Sequence, residues 1–306
     1  MRLLAFFCYN AYMLICIVGP TGSGKTDIAL KLATFYNAPI INADAFQIYQ
    51  EMDIGTAKIA RDSEDYKKHY LLDIVKPNQT YNVKQYQEDF RKTYSELNKN
   101  NQIIIACGGT GLYLKAALYD YVFEDEEEVD VSDLQEMSNE ELLALLTKLD
   151  PKATENLHMN NRKRVIRAIT IARTHALNKS QTIEQQSHEL FFNDEQIKFL
   201  FLNPDRKSLY ENINARVDLM FEKGLIDEVK CLLNKYELSV TAKAAIGYKE
   251  VIDYLDNKCT LEECKELIKK RSRNYAKRQV TFFKHQLPCM EFANKEELLK
   301  EAKKNA

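Results

Sequence analysis

Leu14-Ile15-Cys16-Ile17-Val18-Gly19-Pro20-Thr21-Gly22-Ser23-Gly24-Lys25-Thr26 is the stretch that decides the fold of this 306-residue chain. Its first five residues are apolar and rich in β-formers, as in a buried strand, and the glycines behind them open onto the helical spacing of Ile28, Ala29, Leu32 and Ala33. The reading is strand, phosphate loop, helix. Glycine lets the backbone fold tightly enough for successive N–H groups and the helix N-terminus to face phosphate oxygens. Gly19, Thr21, Gly22, Ser23, Gly24, Lys25 and Thr26 are therefore candidate phosphate-binding residues. Lys25 brings a point charge to the terminal phosphate, and the Thr26 hydroxyl is placed to hold Mg²⁺. A nucleoside triphosphate such as ATP is the usual tenant of such a loop, but a diphosphate ester presents the same oxygens.

Two further strand ends bear on the chemistry. Asn37 to Asp44 reads as a second strand ending in a carboxylate, and the carboxyl ends of strands in an open α/β sheet face one rim. Asp44 is thus a candidate base or Mg²⁺ organiser, with a plain turn cap as the competing reading. Gln102 to Cys107 reads as a third strand, running into Gly108-Gly109-Thr110-Gly111-Leu112-Tyr113. An ordinary phosphate-loop hydrolase would end such a strand in a Mg²⁺-holding aspartate. Here glycines suit close backbone approach, and the Thr110 hydroxyl is available to stabilise charge.

Composition fits a folded, water-soluble chain: 45% hydrophobic and 29% charged residues, with 43 Lys and Arg against 45 Asp and Glu. A net charge of −2 argues against indiscriminate coating of nucleic acid but says little about a local groove. Seven cysteines at irregular positions form no C-x-x-C pair and have no His at zinc-finger spacing, so they read as reduced thiols of a cytoplasmic protein. Met1 to Ile17 has the look of a short signal peptide, yet cleavage inside Leu14 to Val18 would destroy the strand that positions the loop. Translation starting at Met13, with residues 1–12 as an upstream extension, accounts for the same residues.

The fold class expected is α/β, a parallel phosphate-loop sheet flanked by helices, with an inserted α-helical domain. Residues 1–114 and 197–306 form the core in this reading and 115–196 the insertion, where an acidic run (Glu124 to Glu128) precedes a basic cluster of Arg162, Lys163, Arg164, Arg167 and Arg173. Val165, Ile169, Ala172 and Ala176 recur at helical spacing, so one face packs while the arginines project elsewhere. A second basic set places Arg271, Tyr275, Arg278 and Phe282 on one helical face, able to hold phosphate and stack an unpaired base, or equally to pack on the core. Leu209, Ile213, Val217 and Phe221 read as a core stripe capped by Gly224.

Taken in order, GPTGSGKT, then DAFQIYQEMDIGTAK from Asp44, HYLLDI from His69, GGTGLY from Gly108, NRKRVIRA from Asn161, Arg216-Val217-Asp218 with Gly224-Leu225 and Glu228-Val229, AIGYKE from Ala245, and AKRQ from Ala276 make a set. That set resembles the tRNA dimethylallyltransferase family from residue 14 to about residue 286. The resemblance implies that dimethylallyl diphosphate sits in the phosphate loop with Mg²⁺ and that Arg216 reaches its diphosphate. It implies Asp44 as the base that takes a proton from the adenine N6 amine, and Thr110 as a stabiliser of the leaving diphosphate. The tRNA anticodon stem-loop would meet Asp44, Ala45, Phe46 and Gln47, the segment Lys163, Arg164, Val165, Ile166 and Arg167, the segment Ala244, Ala245, Ile246, Gly247, Tyr248 and Lys249, and Arg278. The implied acceptor is adenine 37 of tRNAs reading codons that begin with U.

The sequence departs from the family pattern at several points. Ala45 stands where Ser commonly follows the aspartate, Lys163 where Gln is usual, and Ala244 where a polar residue is common, while an arginine often found early in the insertion has no counterpart among Glu124 to Leu134. No C-terminal zinc finger of the eukaryotic kind is present, so the bacterial form fits better. The expected protein is a monomer with no membrane attachment. Competing readings at this level are a small-molecule phosphotransferase, a non-catalytic RNA binder that keeps the loop, and an enzyme alkylating free adenosine nucleotide.

Overall fold

The computed structural model describes residues 13–121, 123, 130–155, 157–174, 189–192 and 197–304. Two compact units emerge, one of Met1–Leu118 with Leu190–Ala306 and one of Tyr119–Glu189. The insertion is therefore narrower than residues 115–196. Its expected start falls inside a helix, Gly111–Leu118, whose last three residues are fully buried in the first unit. At the other end Phe191 lies under the Arg91 guanidinium at 3.5 Å and Phe192 packs on Tyr94 at 4.5 Å, both contacts within the first unit.

The first unit is built on six strands: β1 Met13–Val18, β2 Ile40–Asn42, β3 His69–Tyr70, β4 Ile103–Gly108, β5 Ile197–Leu202 and β6 Met290–Phe292. They lie in the order β3-β2-β4-β1-β5-β6 and every pairing is parallel, as expected. The strand expected third is fourth in the chain. Only two residues, His69 and Tyr70, form β3, too short for a periodic signal, and they fall in a segment quoted above for its resemblance alone. Because β1 sits between β4 and β5, the sheet has a switch in winding beside its phosphate loop, where ligands of such sheets bind.

Alternation along β1 divides the core. Ile15 and Ile17 join Ile28, Leu32, Ile105, Leu200 and Leu298 in one buried cluster. On other layers, Phe201 of β5 packs against Phe283 with ring centroids 5.4 Å apart, and Tyr86 stacks on Tyr113 at 4.2 Å. Phe283 belongs to the 26-residue helix Leu261–Gln286, opened by a capping box between Thr260 and Glu263. The helix Arg206–Glu222 buries Leu209, Ile213 and Val217 as the stripe requires; Phe221 is half-buried, and Gly224 follows the Lys223 cap in the left-handed region at φ 93°.

The second unit has its own small core: Leu134, Leu142, Leu146, Ala153, Val165, Ala168 and Ile169. The helix Arg162–Thr174 presents the expected apolar face through Val165 and Ile169, while Ala176 and the acidic run lie outside the described residues. The expected cationic face is smaller than the arginine count suggests. Arg162 donates to the carbonyls of Leu134, Gln135 and Met137 at 2.9, 2.7 and 2.6 Å, capping the helix Ser132–Glu136, and Arg173 pairs with Asp133 at 2.7 Å. Both arginines hold the unit together.

Candidate active site

The phosphate loop leaves β1 and enters the helix Lys25–Tyr36 through two left-handed residues, Gly22 (φ 80°) and Gly24 (φ 85°), a conformation that costs any residue with a Cβ. Within the loop, the Ser23 hydroxyl is buried and has no hydrogen-bond partner among the described residues. An orphaned donor at that depth suits a ligand oxygen. Lys25 makes one long bond, to the Pro20 carbonyl at 3.4 Å. Burial lowers its pKa; Cys107 and Asp44 pull it back up and Arg216 adds to the lowering.

At the adjoining strand ends the backbone joins β2 to β4. Ala43 N–H donates to the Cys107 carbonyl at 2.8 Å, and Thr110 N–H to the Ala43 carbonyl at 3.1 Å. Gly108 allows this approach, since an added Cβ would collide with the Ala43 backbone. The result sets Asp44 beside Thr110. Asp44 Oδ1 accepts from the N–H groups of Phe46 and Gln47 at 3.0 and 3.4 Å, which is the turn-capping role. Asp44 Oδ2 has no partner among the described residues. Cap and candidate base are therefore one residue, using different oxygens.

A cavity of about 260 Å³ opens here, lined among others by Thr21, Asp44, Phe46, Arg216, Tyr275 and Arg278, with Ile213, Val217, Met220, Ile246 and Ile268 as its apolar wall. Arg216 donates to Thr21 Oγ1 at 2.9 Å and to the Thr56 carbonyl at 3.3 Å, which fixes its fork at the loop end of the cavity. Burial pulls its pKa down and Asp44 pulls it back up. Tyr275 is pushed up to about 12, first by burial and then by Asp44, so its hydroxyl stays a donor.

The structure brings together most of the expected residues and reassigns some. Thr21 contributes its hydroxyl to the site but not its N–H, which donates to Gln279 Oε1 at 2.9 Å. Gln47 uses its side-chain amide on the Thr56 carbonyl at 3.1 Å. Ala244, Ala245 and Ile246 line the cavity, and Lys249 is exposed. Tyr248, however, is fully buried with its hydroxyl on Glu228 at 2.6 Å, and Val165 is core in the second unit, so neither side chain is available to RNA. Lys163, Arg164 and Arg167 are exposed and Ile166 half-buried. The helical face of Arg271, Tyr275, Arg278 and Phe282 divides: Tyr275 and Arg278 line the cavity, Arg271 pairs with the buried Glu250, and Phe282 packs over Gly111.

Two residues carry more of the site than sequence reasoning assigned them. Glu228 accepts three consecutive N–H groups, from Asp53, Ile54 and Gly55 at 3.0, 2.7 and 3.1 Å, and so holds the loop whose Thr56 carbonyl orients Arg216. Gln279 bridges Thr21 to the Gly109 carbonyl. Both fall inside quoted motifs, which was the signal available. For Mg²⁺, no cluster of three or more His, Cys, Asp or Glu exists among the described residues; the groups that could hold the ion are the hydroxyls of Thr26 and the orphaned Ser23, with Asp44 Oδ2 as the one unpartnered carboxylate oxygen of the site. Such a set fits an ion that keeps waters and takes its other oxygens from a ligand. No described helix is long and apolar enough to cross a membrane.

Residues 47–286 match the family model described as IPP transferase. A tRNA dimethylallyltransferase of Bacillus cereus is 40% identical over 281 residues, covering 89% of this chain and 86% of the relative. The crystal structure of a tRNA delta(2)-isopentenylpyrophosphate transferase from Staphylococcus epidermidis has a TM-score of 0.67 at 33% identity, covering 95% of this chain and 97% of that one. A eukaryotic dimethylallyltransferase acting on tRNA has a TM-score of 0.76 at 26% identity, covering 92% of this chain and 74% of that one.

Proposed function

We infer that this chain, which belongs to the IPP transferase family, is a prenyltransferase that moves a dimethylallyl group from dimethylallyl diphosphate to N6 of an adenine in tRNA. The observation that carries the reading is the Asp44 carboxylate. One of its oxygens caps the turn and the other is unpartnered among the described residues, and it lines the same cavity as Thr21 and Arg216.

In the proposed reaction the diphosphate lies on the loop amides, Lys25 and Arg216, and the five-carbon group lies against the apolar wall of Ile213, Val217, Met220, Ile246 and Ile268. The adenine leaves its stack to reach the cavity. Its N6 nitrogen attacks the allylic carbon, the C–O bond to the diphosphate breaks with its electron pair leaving on oxygen, and the N6 proton passes to Asp44. Lys25, Arg216 and the Thr110 hydroxyl stabilise the charge that grows on the departing diphosphate. Thr26, with Ser23 beside it, would hold Mg²⁺ together with diphosphate oxygens and water, and the bound ion supplies further positive charge against the leaving group.

The finer acceptor is adenine 37 of the tRNA anticodon stem-loop, in tRNAs reading codons that begin with U, with N6-isopentenyladenosine and diphosphate as products. Supporting this are the exposed Lys163, Arg164 and Arg167 of the second unit, which supply cations for an RNA backbone, and Arg278 with Tyr275 in the cavity, which offer a cation and a ring to an extruded base. We place the enzyme in the cytoplasm as a monomer; one copy carries every group the reaction uses. The test is purified protein with Mg²⁺, labelled dimethylallyl diphosphate, and either unmodified tRNA or AMP. Label is expected in tRNA alone. ATP turnover with no label transfer would overturn the reading, and label in AMP would move it to free nucleotide.

A further inference from the structure

Gln279 lies far from the phosphate loop in sequence, on the helix Leu261–Gln286, yet its carboxamide touches both halves of the site. Its Oε1 accepts the Thr21 N–H and its Nε2 donates to the Gly109 carbonyl, each at 2.9 Å. Gln279 is 4% exposed, and an added Cβ on Gly109 would collide with Nε2. Gly109 precedes Thr110, whose Oγ1 accepts from Ala45 N–H at 3.0 Å, directly after Asp44. One planar group thus spans from the loop proposed to grip the diphosphate to the strand end that carries Thr110, the proposed donor to the leaving group, and Asp44, the proposed base. A carboxamide presents a donor and an acceptor side by side on one planar, uncharged group.

We propose that Gln279 is a positioning residue that sets the register between the phosphate loop and the Asp44–Thr110 pair, so that the allylic carbon of a bound diphosphate is held in line with the base. This rests on the prenyl-transfer reading above. It predicts a separation of binding from chemistry: the anion sees the loop amides, Lys25 and Arg216, none of which Gln279 replaces, whereas a misplacement of about 1 Å between reacting groups costs on the order of 100-fold in rate. Tyr275 and Arg278 sit on the same helix and line the cavity, so the bridge also ties the wall proposed for the base to the loop.

The experiment compares wild type, Gln279→Met and Gln279→Glu in single-turnover transfer to unmodified tRNA, with inorganic pyrophosphate affinity and thermal midpoint measured on the same preparations. Gln279→Met keeps the length and removes both bonds; Gln279→Glu keeps the acceptor for Thr21 and removes the donor for Gly109. Expected for both is a transfer rate at least about tenfold lower per folded molecule, with pyrophosphate affinity for the Met variant within about threefold of wild type. A rate within threefold of wild type in either variant, or a rate that falls only in step with pyrophosphate affinity, overturns the proposal. If the Met variant fails to fold, the Glu variant decides by rate alone. Wild type without transfer would defeat the prenyl-transfer reading instead, so the two failures are distinguishable.

Discussion

The backbone N–H of Ala45 donates to Thr110 Oγ1 at 3.0 Å, so the residue after the proposed base and the hydroxyl beyond β4 form one unit. The hydroxyl oxygen accepts from Ala45 and the hydroxyl also meets the Tyr275 oxygen, so a bound diphosphate oxygen would take its hydrogen in place of Tyr275. Thr110→Val keeps the shape, removes that donor and leaves the Ala45 N–H without its acceptor. Transfer is expected to fall by about 10²-fold to 10³-fold, the cost of losing one preorganised donor to developing charge, while Thr110→Ser retains most of the rate. Equal rates for the Val and Ser variants would remove Thr110 from the chemistry.

Asp44 serves the turn with one oxygen and the proposed proton transfer with the other, and substitution can separate the two. Asp44→Asn keeps an acceptor for the Phe46 and Gln47 amides and abolishes the base. It is expected to lower transfer by about 10²-fold to 10⁴-fold with pyrophosphate binding preserved. Asp44→Ala should lose the same chemistry and, in addition, about 1 kcal/mol of stability from the missing cap. A thermal melt beside the rate assay checks both parts; unchanged turnover in either variant rejects Asp44 as the base.

The phosphate loop and the two adjoining strand ends were legible because each is a local device. Gly22, Gly24, Lys25 and Thr26 act within a few residues of each other, and a carboxylate at the end of a short apolar run announces its rim. Gln279 and Glu228 were not legible in that way. Thr21 and Gln279 are 258 residues apart and Asp53 and Glu228 are 175 apart, so their partners are fixed by the tertiary fold and not by spacing. The same reason explains Arg162 and Arg173, which read as members of a projecting cationic cluster and instead satisfy carbonyls and a carboxylate of their own unit. Arg271 shows it again: helical spacing put it with Tyr275 and Arg278, but only the fold brings Glu250 to it.

Glu228 turns three backbone donors toward one carboxylate and takes a fourth bond from the Tyr248 hydroxyl. Glu228→Ala leaves those donors without an acceptor, and with unsatisfied groups at about 1–3 kcal/mol each, partly relieved by water, a loss of about 2–4 kcal/mol is expected. In a unit of this size that is a fall of roughly 4–12 °C in the thermal midpoint. Since the same loop presents the Thr56 carbonyl to Arg216, pyrophosphate affinity should drop as well. A variant with an unshifted midpoint would show that the Asp53–Gly55 loop is held by other contacts, among them Lys58, which bonds Asp53 and Asp73 at 2.8 and 2.7 Å.

Lys25 supplies a pH dependence whose sign follows from its surroundings. Burial disfavours its charge, so its pKa in the free protein lies below the ordinary lysine value, with Cys107 and Asp44 only partly restoring it. In the pH window between the lowered value and the unfolded one, the unfolded chain binds more protons, and the contribution of this group to stability rises with pH. Diphosphate binding runs the other way. A bound polyanion favours the ammonium form, so binding takes up a proton, and affinity falls as pH rises through the lowered pKa. Pyrophosphate titrations from about pH 7 to about pH 10 should therefore weaken before an ordinary lysine would lose its charge. Calorimetry in two buffers of different ionisation enthalpy should report net proton uptake over the same range. Lys25→Arg, whose guanidinium stays charged throughout, should bind with little of this slope. Affinity that stays level through the window in wild type, or an equal slope in the Arg variant, would place the titrating group elsewhere.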